Sequence, residues 1–171
     1  MVVLLRLLKC LITSSFKRRI DALGESVITM RVWPNDLDLN FHANSGRFVS
    51  FIDIGRVDLV VRLGVMRKVL ALKWRPLVGG SMLLYRRSLL PFEHFKVRSR
   101  IVCWDEKWLY FEHIIEKGGG EVAFTAIVRG LIRGPAGNVP PQAMIDLAGH
   151  EKLRSPPMPP HITRWLEAEK R

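Results

Sequence analysis

The segment Pro34-Asn-Asp-Leu-Asp-Leu-Asn-Phe-His-Ala-Asn-Ser-Gly-Arg-Phe48 decides how this chain folds. Its ten residues from Asn35 to Asn44 include two Asp, three Asn and one His, and a largely apolar run that ends before Gly64 follows them directly. Polar groups beside a buried helix cost free energy unless they are hydrogen bonded or serve a chemical purpose. We therefore expect a loop with a structural or catalytic task at the start of a core helix.

The residues after this loop predict a long helix that ends near Leu63. Asn44 and Ser45 are good N-cap residues, and Gly64 is a typical residue just beyond a helix end. Large apolar side chains recur near one face of the segment, and small residues such as Gly55 fall between them. Because small residues let a neighbouring sheet approach closely, we expect the rest of the domain to wrap around this helix.

Five strands are predicted around the helix. One run rich in β-branched and aromatic residues precedes the loop, and four further runs follow it with brief connections between them. A second short helix from 65 to 75 should end at Pro76. Short connections join antiparallel neighbours, so we predict an α+β fold with an antiparallel five-stranded sheet wrapped around a long central helix. The predicted strands are 26–33, 78–90, 95–104, 108–116 and 121–133.

Composition limits the function classes. The 171 residues suit one domain, and 48% hydrophobic and 25% charged residues are ordinary for a globular protein. The formal net charge of +11 favours polyanions such as nucleotide thioesters and anionic lipid, but the chain has no nucleic-acid-binding motif. Two widely separated cysteines give no disulfide framework and indicate a reducing, cytoplasmic compartment. The scattered histidines indicate no metal site, and no cofactor is predicted.

Residues 1–24 form an amphipathic N-terminal segment. Arg6, Lys9, Thr13 and Lys17 recur at spacings of three and four and would form one polar stripe on a helix. The segment is too short and too charged to span a bilayer, and it lacks a signal cleavage site. Two interpretations stay open: a peripheral helix lying in a membrane surface, or a helix packed on the domain or on a partner subunit.

The composition changes again at Gly134, where a proline-rich tail over 134–171 begins. Two short helices are predicted within it, from 142 to 147 and from 162 to 170. Prolines stiffen the connections, so we expect the tail to lie over the domain or over a partner. The folded domain is therefore predicted to be 25–133.

The motif and the order of elements resemble a known family. The segment from Asp36 to Phe48, placed between a strand and a long helix, is similar to that of the hotdog-fold acyl-CoA thioesterases of the 4-hydroxybenzoyl-CoA thioesterase type. The sequence from Trp33 to His42 resembles that of the thioesterase-superfamily-member-6-like subgroup. The resemblance covers roughly 25–133. It implies a sheet wrapped around the helix, in a homodimer or tetramer, with sheets paired edge to edge and active sites at the subunit interface.

The resemblance also implies which residues act. Asp38 matches the carboxylate that attacks the thioester or activates water, whereas Asp36 matches a position that is more often structural. The segment from Asn44 to Arg47 matches the helix start whose backbone N–H groups polarise the thioester carbonyl. We therefore predict Asp38 as the catalytic residue. The predicted substrate-binding residues are His42, Asn44, Ser45, Gly46 and Arg47.

Other interpretations stay open for several of these residues. The chain departs from the family pattern at three positions, Phe41 (usually small), Ser45 (usually Asn) and Phe48 (usually Tyr). Asp38 could cap a turn, His42 could be packed structurally within the loop, and Asn44 could be only the N-cap. Cys103 lies in an apolar run and is predicted to be a core residue rather than a nucleophile.

The prediction is an acyl-CoA thioesterase that acts on an acyl-CoA or another acyl-thioester. Basic residues such as Arg47, Arg86 or Arg87 would face the phosphates of coenzyme A. The alternative is a non-catalytic acyl-thioester or lipid-binding module with the same fold. Hydratase or dehydratase chemistry is less favoured, because the hotdog enzymes that perform it rely on His motifs that this chain lacks.

Overall fold

In the computed structural model, which describes residues 2–169, one antiparallel sheet curls around a long helix. The helices are α1 (Val2–Ser15), α2 (Ser45–Arg62), α3 (Met66–Ala71), α4 (Pro141–Leu147) and α5 (Pro160–Ala168). The strands are β1 (Ser26–Arg31), β2 (Arg75–Tyr85), β3 (His94–Trp104), β4 (Leu109–Lys117), β5 (Val122–Gly134) and β6 (Gly137–Val139). The five long strands have the order β1-β3-β4-β5-β2, as an antiparallel hotdog sheet requires, and the short strand β6 pairs with β5.

Helix α2 carries the centre of the core. Phe51 is fully buried, and its ring centroid lies 4.8 Å from that of Phe95 on β3. A Cβ atom at Gly55 would lie only 2.6 Å from Ser99 Oγ, so only glycine allows β3 to approach this closely. The predicted role of Gly55 is therefore confirmed.

Both ends of α2 lie where the sequence predicts them. The Asn44 side chain accepts a hydrogen bond of 2.9 Å from Gly46 N, which satisfies one of the free N–H groups of the first turn. At the other end Leu63 is the C-cap, and Gly64 follows with φ of 75°, a conformation that glycine adopts without strain.

The predicted bounds of β2 are wrong. The strand begins at Arg75 and contains Pro76, which we expected only to end the preceding helix. Proline is tolerated here because β2 is an edge strand, where the missing N–H group need not leave a partner unsatisfied. The strand also ends at Tyr85 rather than at residue 90, because Arg86 and Arg87 both donate to the Ala123 carbonyl and leave the regular ladder.

Helix α1 packs on α2 with the two ends of its polar stripe turned inward, while Lys9 and Thr13 in the middle of the stripe are exposed. Arg6 reaches Asp36 and Lys17 reaches Asp58, so two of the four predicted stripe residues bind buried carboxylates. The packed interpretation of the N-terminal segment is therefore confirmed. The opposite face is apolar and 54–87% exposed, through Leu4, Leu5, Leu8, Ile12 and Phe16. Within residues 2–169, no helix combines the length and apolarity that crossing a bilayer requires.

Asp58 is the main anchor between α1 and α2. It is fully buried and accepts hydrogen bonds from Ser14, Ser26 and Lys17, the last at 2.8 Å. Arg62 lies 3.7 Å away on the same helix. Burial acts to raise the pKa of the Asp58 carboxyl, but the bonds from Lys17, Ser14 and Ser26 outweigh it and hold the pKa below its ordinary value.

Helix α5 of the tail lies over the outer side of the sheet, whereas Met144 and Ile145 of α4 are buried in the main core. Ile162 on α5 is buried against Cys103, Tyr110 and Ile127 in a second, smaller apolar cluster. Burial raises the pKa of the Cys103 thiol to about 11, which keeps it protonated and confirms a core role. The predicted last helix begins two residues earlier than expected, and Lys170, its predicted end, lies outside the described residues.

Candidate active site

The loop between β1 and α2 is closed by its own backbone. Asn44 N donates to Asp36 O at 2.8 Å, and Asp38 N donates to His42 O at 2.9 Å. Ala43 N donates to Leu89 O at 2.9 Å, which ties the loop to the segment between β2 and β3. The short helical turn Pro34–Asp36 completes the base. Backbone hydrogen bonds therefore hold the base of the loop in a defined conformation.

Asp36 is the structural carboxylate of the pair. It is fully buried and accepts two hydrogen bonds from the Arg6 guanidinium, at 2.9 and 2.6 Å, and one of 2.9 Å from Trp33 N. Arg47 Nε lies 3.7 Å from its other side. A carboxylate with all these partners is fixed and unavailable for attack. This geometry agrees with the structural assignment expected for Asp36.

Asp38 lies two residues further on and is only half-buried. Its Oδ1 accepts hydrogen bonds from Asn40 N at 2.9 Å and from His42 N at 3.4 Å, the pattern of an Asx turn. The turn-capping interpretation therefore accounts for one of the two carboxylate oxygens of Asp38, Oδ1. No other described residue donates to Oδ2, which leaves the second oxygen oriented but unoccupied by protein.

The tip of the loop is exposed and strained. Leu39 is 98% exposed and Phe41 is 73% exposed, which is unusual for large apolar side chains. Phe41 also has φ of 57°, in the left-handed region that non-glycine residues rarely adopt. This tip leaves apolar surface beside Asp38 open to a ligand or to another chain.

The start of α2 faces the same loop. Asn44 is the N-cap, as predicted, and its side chain occupies Gly46 N. Arg47 N donates to the Asn44 carbonyl at 2.8 Å, so the N–H groups of the first turn are partly used. In the described part of the chain, the Ser45 N–H group has no acceptor. Tyr85, at the end of β2, donates its hydroxyl to Ser45 O at 3.2 Å and brings the sheet to this point.

Three arginines were expected near the phosphates of a nucleotide, and their surroundings differ. Arg47 is already bound to Asp36 and donates to Asn35 O at 2.8 Å. Arg87 pairs with Glu121 at 2.7 Å. Arg86 is exposed, and its side chain has no partner among residues 2–169. A groove of about 350 Å³ contains Arg86, Arg87 and Tyr85, so Arg86 is the cation best placed for an anion.

Two features of this region were not anticipated from the sequence. Tyr85 was only the predicted interior of a strand, and the signal that marks it is its place directly before the Arg86-Arg87 pair. His113 was set aside as scattered, yet it is fully buried on β4 and shares a 2.8 Å hydrogen bond with Ser99. Burial, together with the nearby Arg56 charge, lowers its pKa to about 3. It is therefore a neutral core residue at physiological pH.

Comparison with known proteins identifies the family of this chain. The family model described as "Thioesterase-like superfamily" matches residues 32–166, which include the loop, α2 and every strand of the sheet except β1. The chain belongs to the thioesterase-like superfamily. With this family and a hotdog fold, the protein is a thioester hydrolase of the 4-hydroxybenzoyl-CoA thioesterase type.

Individual relatives agree with this assignment. Protein THEM6 from Danio rerio is 32% identical over 161 residues, which cover 93% of this chain and 76% of the relative. Thioesterase poxG from Penicillium oxalicum is 32% identical over 98 residues, covering 49% of this chain and 32% of the relative. The THEM6-like resemblance seen in the sequence is thus confirmed.

Solved structures show the same fold at low identity. A protein from Staphylococcus aureus, SAV2348, solved in complex with CoA, has a TM-score of 0.63 and 16% identity, covering 84% of this chain and 94% of its own. The DHNA-CoA thioesterase from the same organism has a TM-score of 0.67 and 13% identity, covering 86% and 95%.

Proposed function

We propose that this superfamily member hydrolyses an acyl-CoA to a carboxylic acid and free coenzyme A, with Asp38 as general base or nucleophile. The observation that carries the proposal is the asymmetry of the Asp38 carboxylate. Two backbone N–H groups hold Oδ1, while Oδ2 is left without a protein donor in residues 2–169. An oriented carboxylate with one free oxygen is what attack on a thioester, or on the water beside it, requires.

The N-terminus of α2 is the proposed oxyanion site. Its 18 residues align their peptide dipoles and leave partial positive charge at Ser45 and Gly46. The Ser45 N–H group is the first donor, and Gly46 N–H becomes the second if the Asn44 side chain rotates away from it. Negative charge that develops on the thioester oxygen is stabilised at such a helix start. Collapse of the tetrahedral species then breaks the C–S bond, and the thiolate of coenzyme A takes up a proton. Where Asp38 is the nucleophile, water then hydrolyses the mixed anhydride that it forms with the acyl group.

The proposed carrier is coenzyme A, with His42 and Arg47 at the acyl end and Arg86 toward the phosphates. Arg86 is exposed in the groove next to Tyr85, and Tyr85 itself touches the start of α2. The SAV2348 structure holds CoA on the same fold, which supports a CoA thioester as the substrate class. Guanidinium groups suit phosphate recognition because they donate two parallel hydrogen bonds.

The experiment measures thiol release from a panel of acyl-CoA substrates. Asp38→Asn keeps an acceptor for Asn40 N, so the loop should stay folded while the negative charge is lost. We expect kcat/KM to fall by about 10²–10⁴-fold, the usual contribution of a general base. Asp21→Asn, an exposed aspartate outside the loop, is the matched control and should keep full activity.

Two results would distinguish the alternatives. A wild-type chain that hydrolyses nothing in the panel, while Asp38→Asn binds the same acyl-CoA analogues equally well, would instead favour a non-catalytic acyl-thioester-binding module. If hydrolysis does occur, a single turnover in ¹⁸O-water separates the two roles of Asp38. Attack by activated water labels only the product acid. Attack by the carboxylate forms a mixed anhydride of Asp38 and the acyl group, and water that opens this anhydride at the Asp38 carbonyl places the label on Asp38, so label on Asp38 identifies the nucleophile.

A homodimer formed through β2 is part of this proposal. β2 is an edge strand of 11 residues, and its Leu77, Val78, Leu84 and Tyr85 side chains are 45–59% exposed. A long apolar edge of this kind is normally paired or protected. Two copies related by a twofold axis would pair these edges and bring a second chain to Tyr85 and the start of α2. The mass of the whole chain, measured by light scattering, distinguishes a monomer from a dimer or tetramer.

A peripheral membrane contact through the outer face of α1 is the last part of the proposal. Leu8, Ile12 and Phe16 project outward, and the exposed cations Arg18 and Arg19 follow the helix. Apolar residues flanked by cations are typical of helices that lie in the surface of an anionic membrane. The inward stripe is satisfied by Asp36 and Asp58, so this face is available while α1 stays docked.

Co-sedimentation with vesicles that contain phosphatidylserine tests the membrane contact. The double variant Leu8→Asp, Ile12→Asp changes the outer face without touching the docked side. Replacing two aliphatic side chains that would be buried in lipid should weaken vesicle binding at least about tenfold. The same changes at Leu70 and Leu72, also exposed, serve as the matched control. Equal binding by both double variants would rule out α1 as the contact.

A further inference from the structure

A groove of about 610 Å³ runs between α1 and β1, apart from the candidate active site. Five residues of α1 border it, and the helix rises about 12 Å from the first of them, Leu5, to the last, Thr13. Its lining reaches Trp33, but it includes no residue from Asp38 to Arg47. The volume lies within the range of small-molecule sites, about 300–1,000 Å³.

The floor of the groove is apolar. Ile28 and Met30 contribute from β1, Cys10 and Leu5 from α1, and Ile54 from α2. Ile28, Cys10 and Ile54 are buried members of the main core, so this surface is fixed by the fold. An alkyl chain is the ligand group that gains most from covering such a floor.

The rim of the groove is cationic and contains no carboxylate. Its basic members are Arg6, Lys9, Lys17, Arg31 and His94. The carboxylates of Asp36 and Asp58 already bind Arg6 and Lys17. In the part of the chain that the structure describes, the Lys9 ammonium has no hydrogen-bond or ion-pair partner. An uncompensated charge beside an apolar floor favours an anion.

Arg31 is held ready for such an anion. Its Nε donates to Phe92 O at 2.9 Å, and its guanidinium lies 5.4 Å from the Trp33 ring centroid and 5.2 Å from that of Phe92. These contacts fix the plane of the guanidinium. Over residues 2–169, its two terminal nitrogens have no acceptor. The fork is thus oriented before any ligand arrives, which lowers the entropic cost of binding.

We propose that this groove binds an anionic single-chain amphiphile, with the head group on Arg31 and Lys9 and the alkyl chain along Ile28 and Ile54. A carboxylate and a phosphate monoester share the chemistry that Arg31 recognises. This second site does not depend on hydrolysis at Asp38. Its opening lies beside the outer face of α1, because Leu5 belongs both to that face and to the groove lining.

The experiment titrates the whole chain by calorimetry with dodecanoate and dodecyl phosphate, each below its critical micelle concentration, and with dodecanol below its solubility limit. We expect both anions to bind at least about tenfold more tightly than the alcohol, since a charge-assisted hydrogen bond contributes that much. The tighter of the two anions then identifies the head group. An alcohol that binds as tightly as both anions would overturn the proposal.

Variants locate the site. Arg31→Gln should weaken binding of the anions about tenfold, and Arg164→Gln, an exposed arginine on α5, should leave it unchanged. Thr29→Phe places a ring in the groove and should abolish binding while thioester hydrolysis continues. Anion binding that survives Thr29→Phe would place the ligand elsewhere, for instance at the active site, and would refute the assignment. Unchanged thermal unfolding of each variant confirms that the fold is intact.

Discussion

The two edge strands of the sheet, β1 and β2, differ in how far the rest of the chain covers them. Beside β1, α1 is docked on α2 and bound at both ends of the strand: Arg6 donates to Arg31 O, and Asp58 joins Ser14 of α1 to Ser26 of β1. Beside β2, several apolar side chains face solvent along 11 residues. One edge is thus stabilised within the chain, whereas the other exposes apolar side chains to solvent.

The two edges therefore depend on different interactions. The anchors at the β1 edge are buried charges that must keep all their partners, because an unpaired buried charge costs several kcal/mol. The β2 edge consists of exposed apolar side chains, whose burial becomes favourable only on association. Substitutions at the β1 edge should therefore change the free energy of unfolding, and those at the β2 edge should change the oligomeric state.

The largest effect is expected for Asp58→Asn. This change removes the charge that Lys17 and Arg62 face and weakens the bonds from Ser14 and Ser26. The free energy of unfolding, measured with urea, should fall by about 3–5 kcal/mol. Glu121→Gln breaks an ion pair of similar length with Arg87, but both partners are exposed, so the loss should stay under about 1 kcal/mol. Equal losses in the two variants would contradict the comparison.

Lowering the pH should reduce the free energy of unfolding to an intermediate extent, through a residue that lies at neither edge of the sheet. His113 lies on β4, the middle strand, and its folded pKa of about 3 is below the ordinary value of 6.5. The unfolded chain binds this proton first as pH falls, so stability is complete above pH 6.5 and declines below it. The slope should reach about 1.4 kcal/mol per pH unit. His113→Gln should lack this slope down to pH 3.8, where Asp58 begins to contribute in the same direction.

The smallest change in stability is expected from one substitution made at each edge. Val78→Lys on β2 and Val27→Lys on β1 both alter exposed positions, so each should shift the unfolding free energy of the single chain by no more than about 0.5 kcal/mol. Light scattering should nevertheless show a lower mass for Val78→Lys alone, because a lysine on β2 opposes edge pairing. A lower mass for Val27→Lys would mean that the edges have been assigned the wrong way round.

Local signals were enough to predict most of the fold. Asn44 and Gly64 mark the ends of α2 through capping chemistry that acts within a few residues. Alternation in segments such as Phe95–Trp104 marks the strands. The start of β2 was mispredicted because a strand can contain a proline such as Pro76 only at the edge of a sheet. Which strand lies at the edge is decided by the whole sheet and not by the local sequence. β6 was missed since its pairing with β5 follows from the turn between Gly134 and Gly137.

The site was less predictable where it depends on distant partners. The sequence indicates Asp38 and the start of α2, and the geometry places Asp38 in the expected turn. The sequence does not reveal that Arg6 and Ser14 of α1 would face inward, since Asp36 and Asp58 lie 30 and 44 residues from them. Nor does it show Tyr85 beside Ser45, because that contact requires the sheet to curl around α2.

The order of synthesis gives the anchors of α1 a further consequence. A ribosome releases α1 first, and the residue that Ser14 will bind, Asp58, is added 44 residues later. At ordinary elongation rates this gap lasts on the order of seconds. Asp36 is added within that interval, but until Asp58 follows it α1 lacks the carboxylate that binds Ser14 and Lys17, and its apolar face is exposed. The nascent helix therefore emerges before the domain on which it packs has been completed.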